Sequence, residues 1–167
     1  LKRFSDVNRI LVKDLEFKED NSLEVWMKRS KTDQGSKGEK FVISGERMRN
    51  GASVPDIMKW YLKAMNLKKS SYVFCYIDQK NKCHEDRFIT YAEARKVMIK
   101  EQVGLGLRKI SLHSGRIGGA SEAAAAGAGR AAIMRAGVWR SGAVDTYIRP
   151  IEEGQEVSRR LIGRLQV

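Results

Sequence analysis

Leu112-His113-Ser114-Gly115-Arg116-Ile117-Gly118-Gly119-Ala120 is the stretch on which the reading of this chain turns. His113 and Arg116 stand at i and i+3, so a helix over this stretch projects both side chains from one face near its N-terminus. The macrodipole and the free backbone N–H groups there favour an anion, and the pair forms a phosphate-binding arrangement. A surface His and a surface Arg that bind nothing give the same short pattern. The surrounding sequence decides between the two.

Downstream, Gly127, Gly129, Gly137 and Gly142 cut the chain into short helical pieces, predicted over 113–126, 130–136, 143–149 and 156–165. Upstream, Ser53 as N-cap, Pro55 in the first turn and the apolar stripe Ile57, Met58, Tyr61, Leu62 and Met65 predict a helix. Thr90 with Glu93 forms a capping box that opens another, running to about Gln102 and followed by Gly104 and Gly106. Strand-like runs lie at 15–17, 23–27 and 40–43, the first two separated by the turn formers Glu19-Asp20-Asn21-Ser22. Residues 72–77 read as a strand or a buried turn, and Phe4, Val7, Ile10 and Leu11 read as a helix over 3–12. The expected fold class is mostly α with a small antiparallel β-sheet (α+β).

The chain has 167 residues, 42% hydrophobic and 31% charged, which predicts one globular domain and excludes a disordered or collagen-like chain. Its 32 Lys+Arg against 20 Asp+Glu leave a net charge of +12, so a polyanion is the leading partner. A solvated basic surface has the same composition. Two cysteines make no disulfide framework, and a reduced intracellular setting is the expectation. No run reaches the roughly 18 apolar residues of a membrane span. The opening Leu1-Lys2-Arg3-Phe4 carries no initiator Met and no signal-peptide pattern, so a piece of a longer chain is expected.

After His113-x-x-Arg116 come Gly137-x-Trp139 and then Tyr147-Ile148-Arg149. In this order the residues resemble the catalytic domain of the tyrosine recombinases, or phage integrases. That family carries Arg, Lys, His-x-x-Arg and a His or Trp around a nucleophilic Tyr. Arg3, with the acidic Asp6 three residues on, resembles the first Arg motif, and Ser30-Lys31-Thr32 resembles the strand-turn segment that carries the Lys. Lys28 and Lys37 flank Lys31 and are alternatives for its place. Gly115 stands where the family usually has an aliphatic residue, and Trp139 where most members have a second His. The Gly-x-Trp form with Arg116-Ile117-Gly118-Gly119-Ala120-Ser121 is similar to recombinases of eukaryotic mobile elements.

The resemblance implies the recombinase catalytic-domain fold over residues 1–167 as a single domain, without the family's N-terminal DNA-clamping domain and with 150–167 as a tail helix. It implies a site-specific recombinase or integrase that cleaves and rejoins DNA through a 3′-phosphotyrosine, with no cofactor, metal or ATP. Tyr147 would be the nucleophile and Lys31 the general acid, with Arg3, Arg116, His113 and Trp139 on the phosphate. The implied partners are double-stranded DNA and further copies of the chain, as a tetramer on paired sites joined through the tail. The implied location is with genomic DNA inside the cell, and no membrane is implied.

Phosphodiester chemistry demands such groups. Positioned cations and a proton donor offset the charge that develops as an alkoxide leaves, and a guanidinium presents a planar fork to two oxygens. A free phenol, with a pKa of about 10, is roughly a thousandth ionised at neutral pH and needs a base or a positive field. Taken singly, Tyr147 and Trp139 read as packing residues, as do Trp26 and Trp60, while Arg3 and Lys31 read as solvated charges. Two alternatives compete: a type IB topoisomerase, which carries Lys or Arg at the position of His113, and a non-catalytic helix-turn-helix binder over 122–138. Cys75, Cys83 and His84 lack zinc spacing and read as a buried Cys and a loop His. Glu19-Asp20 and Glu85-Asp86 read as solvated turn residues, and Gly104-x-Gly106 lacks the rest of a dinucleotide loop.

Overall fold

The structure, a computed structural model, describes residues 2–28, 38–48, 50–106, 111–137, 139 and 142–148. It is a mixed α+β chain that divides into two compact units, Arg3–Ile110 and Ser111–Val167 with Leu1–Lys2. Each is described by itself.

In the first unit, alternation builds the sheet. Strands β1 (Leu15–Phe17), β2 (Leu23–Met27) and β3 (Glu39–Ile43) form an antiparallel meander in the order β1-β2-β3, with Leu15 opposite Val25 and Val25 opposite Phe41. Leu23, Val25 and Met27 point inward and are buried, while Glu24 and Trp26 take the other face. The β1–β2 turn is closed by Lys18 N–H to the Ser22 carbonyl (2.9 Å), with Asn21 in the left-handed region at φ 61°, where Asn is tolerated. Helix α2 (Val54–Ala64) starts at Ser53, whose Oγ accepts from the Asp56 N–H (3.2 Å). Asn21 Nδ2 donates to the same oxygen (3.1 Å), tying the turn to the helix. Ile10, Leu23, Val25 and Val73 form the core, with Met58 and Tyr61 of α2 packed against it. Each such aliphatic side chain stabilises by about 1.5–3 kcal/mol on full burial.

Several expectations need correction here. The helix over 3–12 shrinks to α1 (Phe4–Val7) and a 3-10 turn at Val12–Asp14. Between them the chain is extended, because Leu11 bridges Tyr72 and the Ile10 carbonyl accepts from Val73 N–H (2.9 Å). Tertiary pairing overrides the helical spacing. Second, Cys83, His84, Glu85 and Asp86 lie on a strand, β5 (Cys83–Phe88), paired with β4 (Cys75–Ile77), rather than in loop and turn. This hairpin brings Cys75 and Cys83 to a Cα separation of 6.4 Å and joins them as a disulfide, where a reduced pair was expected. Third, Trp26 and Trp60 are 46% and 69% exposed rather than packed, since pleat and helical rotation turn them away from the core. Ile57, counted in the buried stripe, is likewise exposed. The Thr90–Glu93 capping box holds as read, at the head of α3 (Tyr91–Gly104).

The second unit is helical among its described residues: α4 (Ser114–Ala125), α5 (Arg130–Gly137) and a 3-10 segment, Gly142–Thr146. Gly127 ends α4 at φ 83°, with its N–H on the Ala124 carbonyl and Ala128 N–H on the Ala123 carbonyl, a Schellman closure. Ala120, Ile133, Trp139 and Val144 form the core, with Tyr147 and Ile148 against it. The predicted tail helix at 156–165 lies outside the described residues. Among the described residues no helix is long and apolar enough to cross a membrane.

Candidate active site

Serines set the start of α4. Ser114 N–H donates to Ser111 Oγ (3.2 Å) and Ser111 N–H to Ser114 Oγ (3.1 Å), a reciprocal cap that leaves His113 at the N-cap position with no side-chain cap bond. Arg116 follows three residues later, in the first turn. The expected common face holds in part: His113 is exposed, whereas Arg116 turns inward and is 4% exposed.

A buried guanidinium is costly unless its charge and its N–H groups are met. Arg116 Nη2 donates to the Gly137 carbonyl (2.7 Å), and its Cζ lies 4.0 Å from the centroid of the Trp139 ring and 5.5 Å from that of Tyr147. Both faces are favourable cation–π seats. The Trp139 backbone N–H donates to the Met134 carbonyl at the end of α5 (2.9 Å), which fixes where the indole begins. Its Nε1 is buried and has no hydrogen-bond partner among the described residues.

Tyr147 closes the group. Its ring centroid is 5.3 Å from that of His113, edge on, and 5.0 Å from that of Trp139. Its backbone is held from two sides: Tyr147 N–H donates to the Val144 carbonyl (2.9 Å), and Ser121 Oγ, from α4, donates to the Tyr147 carbonyl (3.0 Å). Just before it, Asp145 takes a two-point grip from Arg130 at the head of α5, Nε to Oδ1 and Nη2 to Oδ2, both 2.7 Å. That hydrogen bond and charge hold the Asp145 carboxyl below its ordinary pKa and raise that of Arg130.

Four of the six residues put forward from sequence, His113, Arg116, Trp139 and Tyr147, thus lie side by side in the second unit. Arg3 belongs to the first unit, as N-cap of α1, with Nη1 3.9 Å from Asp6 Oδ2. Lys31 and its alternative Lys37 lie outside the described residues. The other alternative, Lys28, is engaged: its Nζ pairs with Asp14 Oδ1 at 2.9 Å. Sequence reasoning passed over Ser121, Arg130, Asp145 and the Gly137 carbonyl. Partners separated by 15 to 26 positions leave no local pattern. Among the described residues no group of three His, Cys, Asp or Glu side chains could hold a metal ion.

Chemically the cluster offers a phenol beside an exposed imidazole, a guanidinium and an indole N–H, at a helix N-terminus. This set suits an anionic substrate and a nucleophilic oxygen. The chain matches no protein-family model and no curated protein sequence.

Proposed function

We propose that this chain is the catalytic domain of a tyrosine recombinase, which breaks and rejoins DNA through a covalent 3′-phosphotyrosine at Tyr147. The observation that carries the reading is the meeting of His113, Arg116, Trp139 and Tyr147 in one cluster, with ring centroids 5.0 and 5.3 Å apart and the guanidinium stacked beside them. A fold that needed these residues only for packing has no use for a nearly buried arginine at a helix N-terminus.

The Tyr147 oxygen attacks phosphorus and its proton passes to His113. The P–O5′ bond breaks, its electron pair leaves on the 5′ oxygen, and Lys31 supplies the proton that makes a free 5′ hydroxyl. Arg116 balances the charge on the non-bridging oxygens, a part that the resemblance also gives to Arg3. Trp139 Nε1 donates to one of them, which would relieve its lack of a partner. Arg116 is buried in the DNA-free chain, so the stacked rings must part before phosphate reaches it. The +12 charge suits double-stranded DNA, and the sequence spacing of Val157, Leu161, Ile162 and Leu165, apart from Arg159, Arg160 and Arg164, suits docking on a neighbouring copy in a tetramer.

The α4-turn-α5 pair also permits a helix-turn-helix binder, but such a module leaves the His113–Tyr147 contact unused. One experiment separates them. The full chain is incubated with labelled nicked suicide duplexes carrying a randomised target region and run on a denaturing gel. The expected result is a covalent adduct that mass spectrometry maps to Tyr147. Tyr147→Phe should lose it entirely while filter retention of DNA stays unchanged. DNA retention without any adduct, or an adduct that survives in Tyr147→Phe, overturns the nucleophile assignment.

A further inference from the structure

We infer that Gly137 is a positioning residue that sets two groups of the candidate site at once. Its carbonyl accepts from Arg116 Nη2 at 2.7 Å, across 21 positions of sequence. Its Cα carries the Trp139 indole: a Cβ built on Gly137 would meet Trp139 Cη2 at 2.6 Å, with Cζ3 and Cε3 closer still. No side chain fits there while the indole keeps its place. The reason is space and not conformation, because Gly137 has no positive φ.

The two contacts act together. The carbonyl aims one edge of the guanidinium, and the bare Cα lets the indole lie flat enough to receive the guanidinium at 4.0 Å from its centroid. Moving either partner opens that stack. Gly137 is itself buried at the C-terminal end of α5, so it touches no substrate and acts through Arg116 and Trp139. The catalytic half of the inference rests on the strand-transfer reading proposed above, while the placement half rests on geometry alone.

The test has one arm for each half. The chain has three tryptophans. With the exposed Trp26 and Trp60 changed to Phe, Trp139 is the only indole, excited selectively at the red edge where the five tyrosines do not absorb. In that background Gly137→Ala should shift the emission to the red and make the indole more open to acrylamide, with far-ultraviolet circular dichroism unchanged. Unchanged emission and quenching overturn the placement. In the second arm, adduct formation on the nicked suicide duplexes should slow by about tenfold or more in Gly137→Ala, while half-saturation by DNA stays within about twofold, because only the positioned charge is lost. The second variant is Gly137→Ala with Trp139→His. Imidazole lacks the six-membered ring that crowds position 137, so the double variant should match Trp139→His alone in rate and in melting temperature. Additive losses instead would mean that Gly137 acts elsewhere, and they overturn the inference. If Gly137→Ala alone fails to fold, recovery of a cooperative melt in the double variant supports the steric argument and continued failure overturns it. A wild-type chain that forms no adduct overturns the strand-transfer reading, and the emission arm still decides where Gly137 holds Trp139.

Discussion

The two units of this chain build their cores from different side chains. In the first, Leu23, Val25, Val73 and Ile10 make an aliphatic core, and the buried serines Ser53 and Ser71 have partners: Ser53 Oγ caps α2, and Ser71 Oγ bonds to Glu85. In the second, the core is assembled from Ala120, Ile133, Val144 and Trp139, with the Arg116 guanidinium stacked on the indole and the indole Nε1 buried without a partner among the described residues. An unmet buried N–H costs about 1–3 kcal/mol, and a buried cation costs more than it returns unless its surroundings are well arranged. The first unit keeps its core aliphatic, though Arg3 Nη1 and Asn8 Oδ1 are buried in it without a hydrogen-bond partner among the described residues. The second sets its cation and its unmet N–H against the core itself, which costs stability and suits the proposed binding of a charged substrate.

The largest expected effect comes from removing that charge while keeping its bulk. Arg116→Met should reduce adduct formation by about a hundredfold or more, yet change the melting temperature little, since sparing the desolvation of a cation offsets the loss of the donor to the Gly137 carbonyl. A large fall in melting temperature would mean that the cation stabilises the second unit, and would erase the contrast. Calorimetry beside the denaturing gel reads both.

Leu23→Ala should do the reverse. Leu23 is fully buried, so the cavity costs about 2–5 kcal/mol, read as a lowered urea midpoint. Adduct formation at temperatures where the variant stays folded should be nearly wild type. A variant that is stable but inactive would tie the sheet directly to the chemistry.

The smallest effect sharpens the picture of the second unit. The Asp145 carboxyl is held below its ordinary pKa by the Arg130 hydrogen bond and charge. A depressed carboxyl contributes stability that is present above its unfolded value and is lost as pH falls through the folded one. Melting temperatures of wild type and Asp145→Asn should therefore differ at neutral pH, with wild type higher, and converge in acid below the carboxylate range. The gap should be small because the pair is exposed and screened. A gap that persists in strong acid would trace the effect to something other than this charge.

Much of the framework was legible because its signals are local. Alternation set the ends of β1 and β2, Ser53 with Pro55 announced α2, and Thr90 with Glu93 announced α3. β5 was not legible, since Cys-His-Glu-Asp-Arg-Phe alternates nothing and becomes a strand only against β4. The first turns of the chain misled for a related reason. Ile10 and Leu11 have helical spacing, but their burial comes from pairing with residues 72 and 73 as extended chain.

The candidate site divides along the same line. The sequence by itself determined which residue types stand in which order, and with His113 and Arg116 one helical turn apart it placed two of them together. Only the tertiary structure decided that Arg116 turns inward, that Trp139 and Tyr147 stack about it, and that Gly137, Ser121 and Arg130 hold them there. Spacing along a helix or strand is encoded within a few residues, because backbone geometry repeats over that length. A contact across 21 or 26 positions exists only once the intervening chain has folded and brought a particular carbonyl to a particular donor.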